Sequence, residues 1–132
     1  MEKIAIIDLG SNTARLVIAN IMDGGYFMVV DELKEPVRLA QDMEIDGYLR
    51  PLRMAQTIKT LRTFRTLYES HKVDKVFAYA TAAVRRAKNQ KTFIDDVQTA
   101  CGIKLTVISQ EEEAAFVYQG VINSMEVPKG LI

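Results

Sequence analysis

The N-terminal stretch IAIIDLGSNTARLVIA, residues 4–19, changes character twice along its length. Two apolar runs, each typical of a buried β-strand, flank the polar residues 8–13. An acid, a glycine and three small polar residues tolerate the geometry of a tight turn, so the stretch predicts two strands joined by a hairpin. The same residue types also occur in anion-binding loops, which makes this turn a candidate site as well as a connection.

Strand-like and helical patterns follow in alternation along the rest of the chain. Apolar runs without a helical period predict strands at residues 3–8, 15–21, 26–31, 74–80 and 104–108. Helical spacing begins at Pro51 and continues for about five turns. A second helical segment covers residues 81–101, with a break near Asn89 and a C-cap at Gly102, and a third covers residues 109–125.

The predicted element order indicates the fold class. The order β-β-β-α-β-α-β-α predicts an α/β fold with a mixed five-stranded sheet and helices on its faces. This order resembles the ribonuclease-H-like, actin-type (ASKHA) half that actin, hexokinase and the heat-shock ATPases share. A resemblance of fold does not by itself assign a function.

Composition restricts the classes of function. The chain has 132 residues, enough for one domain with its own core. Lys and Arg together number 17, as do Asp and Glu, and this balance argues against a nucleic-acid partner. The single cysteine, Cys101, excludes an internal disulfide, and the single histidine, His71, argues against a Ser-His-Asp triad. Because no apolar run approaches about 18 residues and no signal peptide is present, we expect a cytoplasmic protein without a membrane partner.

The polar loop between the first two strands is the first candidate site. Its backbone amides, with the side chains of Ser11, Asn12 and Thr13, offer donors that suit phosphate, and Gly10 keeps the approach open. Asp8 at the strand end could hold a divalent cation directly or through water. The alternative is a hairpin turn without a ligand, where the same residues only satisfy the geometry.

The segment ATAAVRRAKN, residues 80–89, is the second candidate. Thr81 is the predicted N-cap of a helix, which places Arg85 and Arg86 near its first turn. Cations are unfavourable at that end of a helix, so the two arginines suggest an anionic partner such as phosphate. The alternative is a pair of long side chains facing solvent.

The segment ISQEEEAAF, residues 108–116, is the third candidate. Ser109 and Glu112 have the spacing of a capping box, and Glu111 complements the helix dipole. Glu113 has no such structural role, and a carboxylate near phosphates can act as the general base for an attacking water. The alternative is one more acid at a helix start.

Four ordered motifs resemble the exopolyphosphatase / guanosine pentaphosphate phosphohydrolase (Ppx/GppA) family. They read IDLGSNTARLVI, VRLAQDMEIDGYL, ATAAVRRAKN and VISQEEEAAFVYQGV, and they span almost the whole chain. The resemblance implies an enzyme with two actin-like halves and a cleft between them. It implies Mg²⁺-dependent hydrolysis of the terminal phosphate of inorganic polyphosphate, or of the 5′ phosphate of guanosine pentaphosphate.

The resemblance also implies roles for particular residues. Residues 8–13 match the family's first phosphate loop, Arg85 matches a phosphate-binding arginine, and Glu113 matches the base for water. Two positions depart from the family pattern, because Gln110 and Ala40 stand where glycine is usual.

Arg38 lies in the segment that matches the family's RLG element, and we assign it to packing. The second phosphate loop of the family, D-x-G-G-G-S, does not occur in this sequence. Residues 1–132 therefore resemble the N-terminal domain of a two-domain phosphatase whose C-terminal domain is missing here. We expect such a half to bind its substrate weakly, to have little or no activity alone, and to self-associate, for instance as a homodimer, through its uncovered face.

Two other functions stay open. The first is a phosphate-ligand sensor of the same fold that binds without hydrolysis. The second is half of a sugar kinase or chaperone-type ATPase, against which the ATAAVRRAKN and Glu113 elements argue.

Overall fold

A mixed sheet of five strands forms the centre of the computed structural model, which describes residues 2–112. The strands are β1 (Glu2–Leu9), β2 (Thr13–Ile21), β3 (Phe27–Pro36), β4 (Lys75–Ala80) and β5 (Thr106–Val107). Their order in the sheet is β3-β2-β1-β4-β5. Strands β1, β2 and β3 pair antiparallel, whereas β4 is parallel to both β1 and β5. The predicted α/β fold with a mixed sheet is thus confirmed.

Four complete helices within residues 2–112 connect and cover the strands. They are α1 (Met43–Asp46), α2 (Pro51–Ser70), α3 (Ala82–Arg86) and α4 (Gln90–Cys101). The predicted start at Pro51 and the predicted break near Asn89 are both confirmed, whereas α1 was not expected. Among residues 2–112, no helix is long and apolar enough to cross a membrane.

Two strands differ from the predicted lengths by more than two residues. Strand β3 continues to Pro36 instead of ending at residue 31. It is an edge strand, so a proline can occupy its end without breaking an internal ladder. Strand β5 is shorter than expected, with only Thr106 and Val107. The predicted third helix is described only as far as residue 112; residues 113–125 and the strand start predicted at residues 131–132 lie outside the described residues.

The hydrophobic core lies between one face of the sheet and helices α2 and α4. Phe64 of α2 and Phe93 of α4 are fully buried in the same cluster as Ile7, on the central strand β1. This packing arises because α2 presents apolar residues every three or four positions toward the sheet. On other parts of the surface Val29 remains 60% and Phe77 38% exposed.

Gly102, the predicted C-cap of α4, has a positive φ of 68°. A Cβ at this position would lie 2.6 Å from Nη1 of Arg65, which donates a hydrogen bond to the Cys101 carbonyl oxygen. We expect Gly102→Ala to lower the free energy of unfolding by about 1–2 kcal/mol, because alanine must adopt a left-handed conformation and displace Arg65. Chemical denaturation measures this loss.

Gly25→Ala is the matched control for this prediction. Gly25 has a φ of 84°, but within residues 2–112 no atom would lie within 4 Å of a Cβ at this position, so only backbone strain applies. A smaller loss in Gly25→Ala than in Gly102→Ala would support the contact with Arg65. Equal losses would show that the contact contributes nothing.

A side-chain hydrogen bond connects the end of α2 to the edge strand β3. Asp31 Oδ2 lies 3.0 Å from His71 Nε2. The hydrogen bond with His71, followed by one from the Glu32 amide, lowers the pKa of Asp31 below its usual 3.8. A carboxylate with a lowered pKa stabilises the fold above its unfolded-state pKa, and this contribution is lost as pH falls through the folded-state value.

We therefore expect Asp31→Asn to reduce the pH dependence of stability below about pH 4. Asp46 also has a lowered pKa, mainly because of its hydrogen bond with Arg50, and it is retained in the variant. Part of the pH dependence of stability should therefore persist. Urea unfolding midpoints measured at several acidic pH values test the prediction. An unchanged slope in Asp31→Asn would contradict it.

Candidate functional site

The candidate residues converge on one edge of the sheet, at the carboxyl ends of β1, β4 and β5. The Thr81 amide donates to the Leu9 carbonyl at 3.1 Å, and the Ile108 amide donates to the Ala80 carbonyl at 3.1 Å. These bonds hold the three strand ends side by side. Ligands of open α/β sheets commonly bind beyond the carboxyl ends of parallel strands.

Residues 10–13 form the tight connection between β1 and β2. The Gly10 amide donates to the Thr13 carbonyl at 2.9 Å, so this donor is already used within the loop. A Cβ on Gly10 would lie 3.3 Å from the same oxygen, which explains the need for a small residue. Within residues 2–112, the amides of Ser11 and Asn12 make no hydrogen bond. The hairpin is therefore confirmed, and two of its amides are available to a ligand.

The segment after β3 supports this loop from one side. The amides of Val37 and Arg38 both donate to the Asn12 carbonyl, at 2.8 and 3.0 Å, and the Ala40 amide donates to the Ser11 carbonyl at 3.0 Å. The C=O and N–H of a trans peptide point in opposite directions. Since the Ser11 carbonyl points toward this segment, the Asn12 amide points away from it.

Arg85 lies in a different part of its helix than predicted. Helix α3 has only five residues and ends before Ala87, whose backbone is extended. Arg85 and Arg86 therefore occupy its last turn, where cations are favourable. The helix-dipole argument for an anionic partner therefore does not apply, because it assumed a longer helix.

The Arg85 side chain instead connects two strand ends. Its Nη1 donates to the Ile108 carbonyl at 2.8 Å, and the side chain is half-buried. Ile108 is the first residue of the third candidate segment and directly precedes Ser109. The guanidinium group thus lies beside the segment that leads toward Glu113.

Thr81 is the N-cap residue of α3, as predicted, but its side chain makes no cap hydrogen bond. Its Oγ1 donates to the Leu9 carbonyl at 3.3 Å instead. Thr81 therefore holds the ends of β1 and β4 together beneath the site.

The capping box at residues 109–112 is confirmed. The Glu112 amide donates to Ser109 Oγ at 3.1 Å, and the Ser109 amide donates to Glu112 Oε1 at 2.9 Å. A helix therefore begins at this edge of the sheet. Glu113, the predicted general base, lies outside the described residues.

Asp8, the candidate metal ligand, is exposed near the end of β1. In the two neighbouring strands it faces Arg15 and Tyr79 in register. Within residues 2–112, no group of three or more His, Cys, Asp or Glu side chains could hold a metal ion. Mg²⁺ commonly binds through one or two carboxylates together with substrate phosphates and water, so a single Asp8 carboxylate beside the candidate loop fits this ion.

Two supporting residues were not identified from the sequence. The Asn89 side chain bonds both the amide and the carbonyl of Leu49, at 2.9 and 3.0 Å. Gln90 Nε2 donates to the carbonyls of Val84 and Arg85, at 3.0 and 3.3 Å. Gln90 thus fixes the backbone at Val84 and Arg85, whereas Asn89 attaches this segment to Leu49, just before α2. Their position in or beside the ATAAVRRAKN segment indicated that they lie near the site. The spacing of residues in that segment did not indicate which groups they bond.

Comparison with known proteins identifies one family. The sequence model of the Ppx/GppA phosphatase family matches residues 17–132. The crystal structure of the Aquifex aeolicus member of the Ppx/GppA family is 34% identical, with a TM-score of 0.88 over 95% of this chain and 40% of that protein. An exopolyphosphatase from Cytophaga hutchinsonii ATCC 33406 is 30% identical, with a TM-score of 0.86 over 91% of this chain and 38% of that one. The chain thus spans less than half the length of these proteins.

Proposed function

Because the chain belongs to the Ppx/GppA phosphatase family, we propose that it supplies one half of the active site of a phosphoric anhydride hydrolase. The substrate is inorganic polyphosphate, guanosine pentaphosphate or both, and the terminal or 5′ phosphate is removed with Mg²⁺. One observation carries the proposal: the loop at residues 10–13, Arg85 and the helix start at Ser109 meet at one edge of the sheet.

The extent of the matches supports a two-domain enzyme. The chain covers 40% of the Aquifex aeolicus protein and 38% of the Cytophaga hutchinsonii protein. We propose that residues 1–132 are the N-terminal actin-like domain, and that a C-terminal domain completes the cleft. The groups described above would then form one wall of the substrate site.

In the proposed reaction, water attacks the terminal phosphorus in line with the bridging oxygen. The amides of Ser11 and Asn12, the hydroxyl of Thr13 and the guanidinium of Arg85 bind the phosphate oxygens. Glu113 accepts a proton from the attacking water as the new P–O bond forms. The bridging P–O bond breaks, and the shortened chain leaves with the bridging oxygen. Positioning and charge neutralisation dominate such phosphoryl transfers, so few protein groups are needed.

Asp8 would hold Mg²⁺, directly or through water. When bound, the ion neutralises part of the phosphate charge. A single carboxylate binds a metal ion weakly when no substrate is present, and we therefore expect the ion to bind together with the phosphate chain.

The test is phosphate release by the natural full-length protein. Long-chain polyphosphate and guanosine pentaphosphate are incubated separately, with Mg²⁺ or with a chelator, and binding is measured in parallel. We expect Mg²⁺-dependent release of inorganic phosphate from at least one substrate. Binding of both ligands without release from either would instead identify a phosphate-ligand sensor.

A further inference from the structure

An open cavity adjoins the loop on the side of the segment that follows β3. It has a volume of about 390 Å³ and is lined by Asn12, Arg38, Ala40, Gln41, Asp42 and Glu44. Asn12 belongs to both the loop and the cavity, so the two share a wall. No role in the proposed reaction uses the rest of this cavity.

Arg38 is fixed beside the loop by its backbone. Its φ of 49° lies in the left-handed region, which is uncommon for arginine, and its amide donates to the Asn12 carbonyl at 3.0 Å. The side chain is exposed, and its guanidinium makes no hydrogen bond or ion pair with any of residues 2–112. Packing, the role expected from the sequence, therefore does not account for the charged group.

The charges around the cavity set limits on its ligand. Arg38 attracts an anion, whereas the exposed carboxylates of Asp42 and Glu44 on the same cavity repel one. A free anion would thus bind weakly. A phosphate group that is part of a chain already held at the loop is a better ligand, because its local concentration is high.

We propose that the guanidinium of Arg38 and the side chain of Asn12 form a second phosphate subsite, which binds a phosphate of inorganic polyphosphate away from the reacting end. This inference rests on the proposed function, since it assigns the first phosphates of the chain to the loop and Arg85. Arginine suits the role because its planar fork can bind two phosphate oxygens at once. The subsite makes affinity depend on the length of the polyphosphate chain.

Binding to two probes tests the subsite in the natural full-length protein. Dissociation constants for long-chain polyphosphate and for pyrophosphate are measured with Mg²⁺, together with kcat and KM for phosphate release. The variants are Arg38→Ala, Glu44→Gln and the control Arg62→Ala, an exposed arginine on α2 that does not line the cavity. Thermal unfolding of each variant confirms that it is folded.

We expect Arg38→Ala to weaken binding of long-chain polyphosphate about tenfold, the order of one charge-assisted hydrogen bond, and to raise KM with little change in kcat. Pyrophosphate binding should change by less than about twofold. Glu44→Gln should tighten long-chain binding, and Arg62→Ala should behave as wild type. Equal weakening of both probes, or no weakening of the long chain, would overturn the subsite.

Failure of the proposed function gives a different result. If the wild type releases no phosphate but the length-dependent loss in Arg38→Ala is present, the hydrolase assignment fails and the subsite stands. If the wild type binds neither probe, both proposals are overturned.

Discussion

Replacing Glu113 with glutamine in the full-length protein is expected to lower kcat for phosphate release by about 10²–10⁴-fold. Glutamine has nearly the shape of glutamate but cannot accept the proton of the attacking water. Substrate binding should persist, because the proposed phosphate ligands are the loop and Arg85. The measurement pairs kcat for polyphosphate with a dissociation constant for the same substrate.

Glu111→Gln is the matched control for this variant. Glu111 is an exposed acid in the first turn of the helix that begins at residue 110, and its replacement removes the same formal charge. We expect this control to retain most of the wild-type kcat. Wild-type turnover in Glu113→Gln, or an equal loss in both variants, would exclude Glu113 as the specific base.

Replacing Arg85 with alanine is expected to lower kcat/KM for polyphosphate by about 10²-fold or more. A hydrogen bond between charged partners contributes about 1.5–3 kcal/mol, and the guanidinium fork can make two such bonds to phosphate. Arg85→Lys should recover only part of the loss, because lysine keeps the charge but lacks the planar fork.

Arg85 also bonds the Ile108 carbonyl, so the effect of its loss on the fold needs its own measurement. Thermal unfolding of Arg85→Ala and Arg85→Lys separates stability from substrate binding. Arg86→Ala is the matched control, because Arg86 is an exposed arginine in the same turn. If Arg86→Ala lost as much activity as Arg85→Ala, the effect would be one of general positive charge and not of a specific phosphate contact.

Elements with a strong local signal were predictable from the sequence. The apolar face of α2 contains Leu61, Phe64 and Tyr68 at helical spacing, and all three are buried. Gly102 ends α4 with a positive φ, and Ser109 begins the next helix with the expected capping box. In each case residues close together in the sequence determine the structure.

Features that depend on distant partners were not predictable. The sequence does not show that α3 ends before Ala87. The Gln90 side chain donates to the Val84 and Arg85 carbonyls at the end of α3, and these bonds form only when the chain leaves the helix at Ala87. The Thr81 hydroxyl could form a helix cap, but it donates a hydrogen bond to the carbonyl of Leu9, 72 residues earlier in the chain. Arg85 lies in the last turn of α3, where the helix dipole favours a cation, so the dipole argument is reversed. Its location at the ends of the strands nevertheless agrees with the proposed function.

The candidate site was predictable only where residues close together in the sequence form it. The loop at residues 10–13 was identified from its composition, and the structure adds which of its amides lack partners within residues 2–112. The supporting contact of Arg38 was not predictable, because arginine rarely adopts a φ of 49° and nothing in the local sequence requires it. Long-range backbone hydrogen bonds to Asn12 impose that conformation.

The central claim is that the loop, Arg85 and the helix start form one phosphate-binding surface. Amide chemical shifts of the ¹⁵N-labelled natural protein, titrated with pyrophosphate in the presence of Mg²⁺, test it most directly. The account predicts that the largest shifts fall on Ser11, Asn12, Arg85 and residues 109–112, with a single dissociation constant. Shifts that leave these residues unchanged and appear elsewhere on the protein would contradict it.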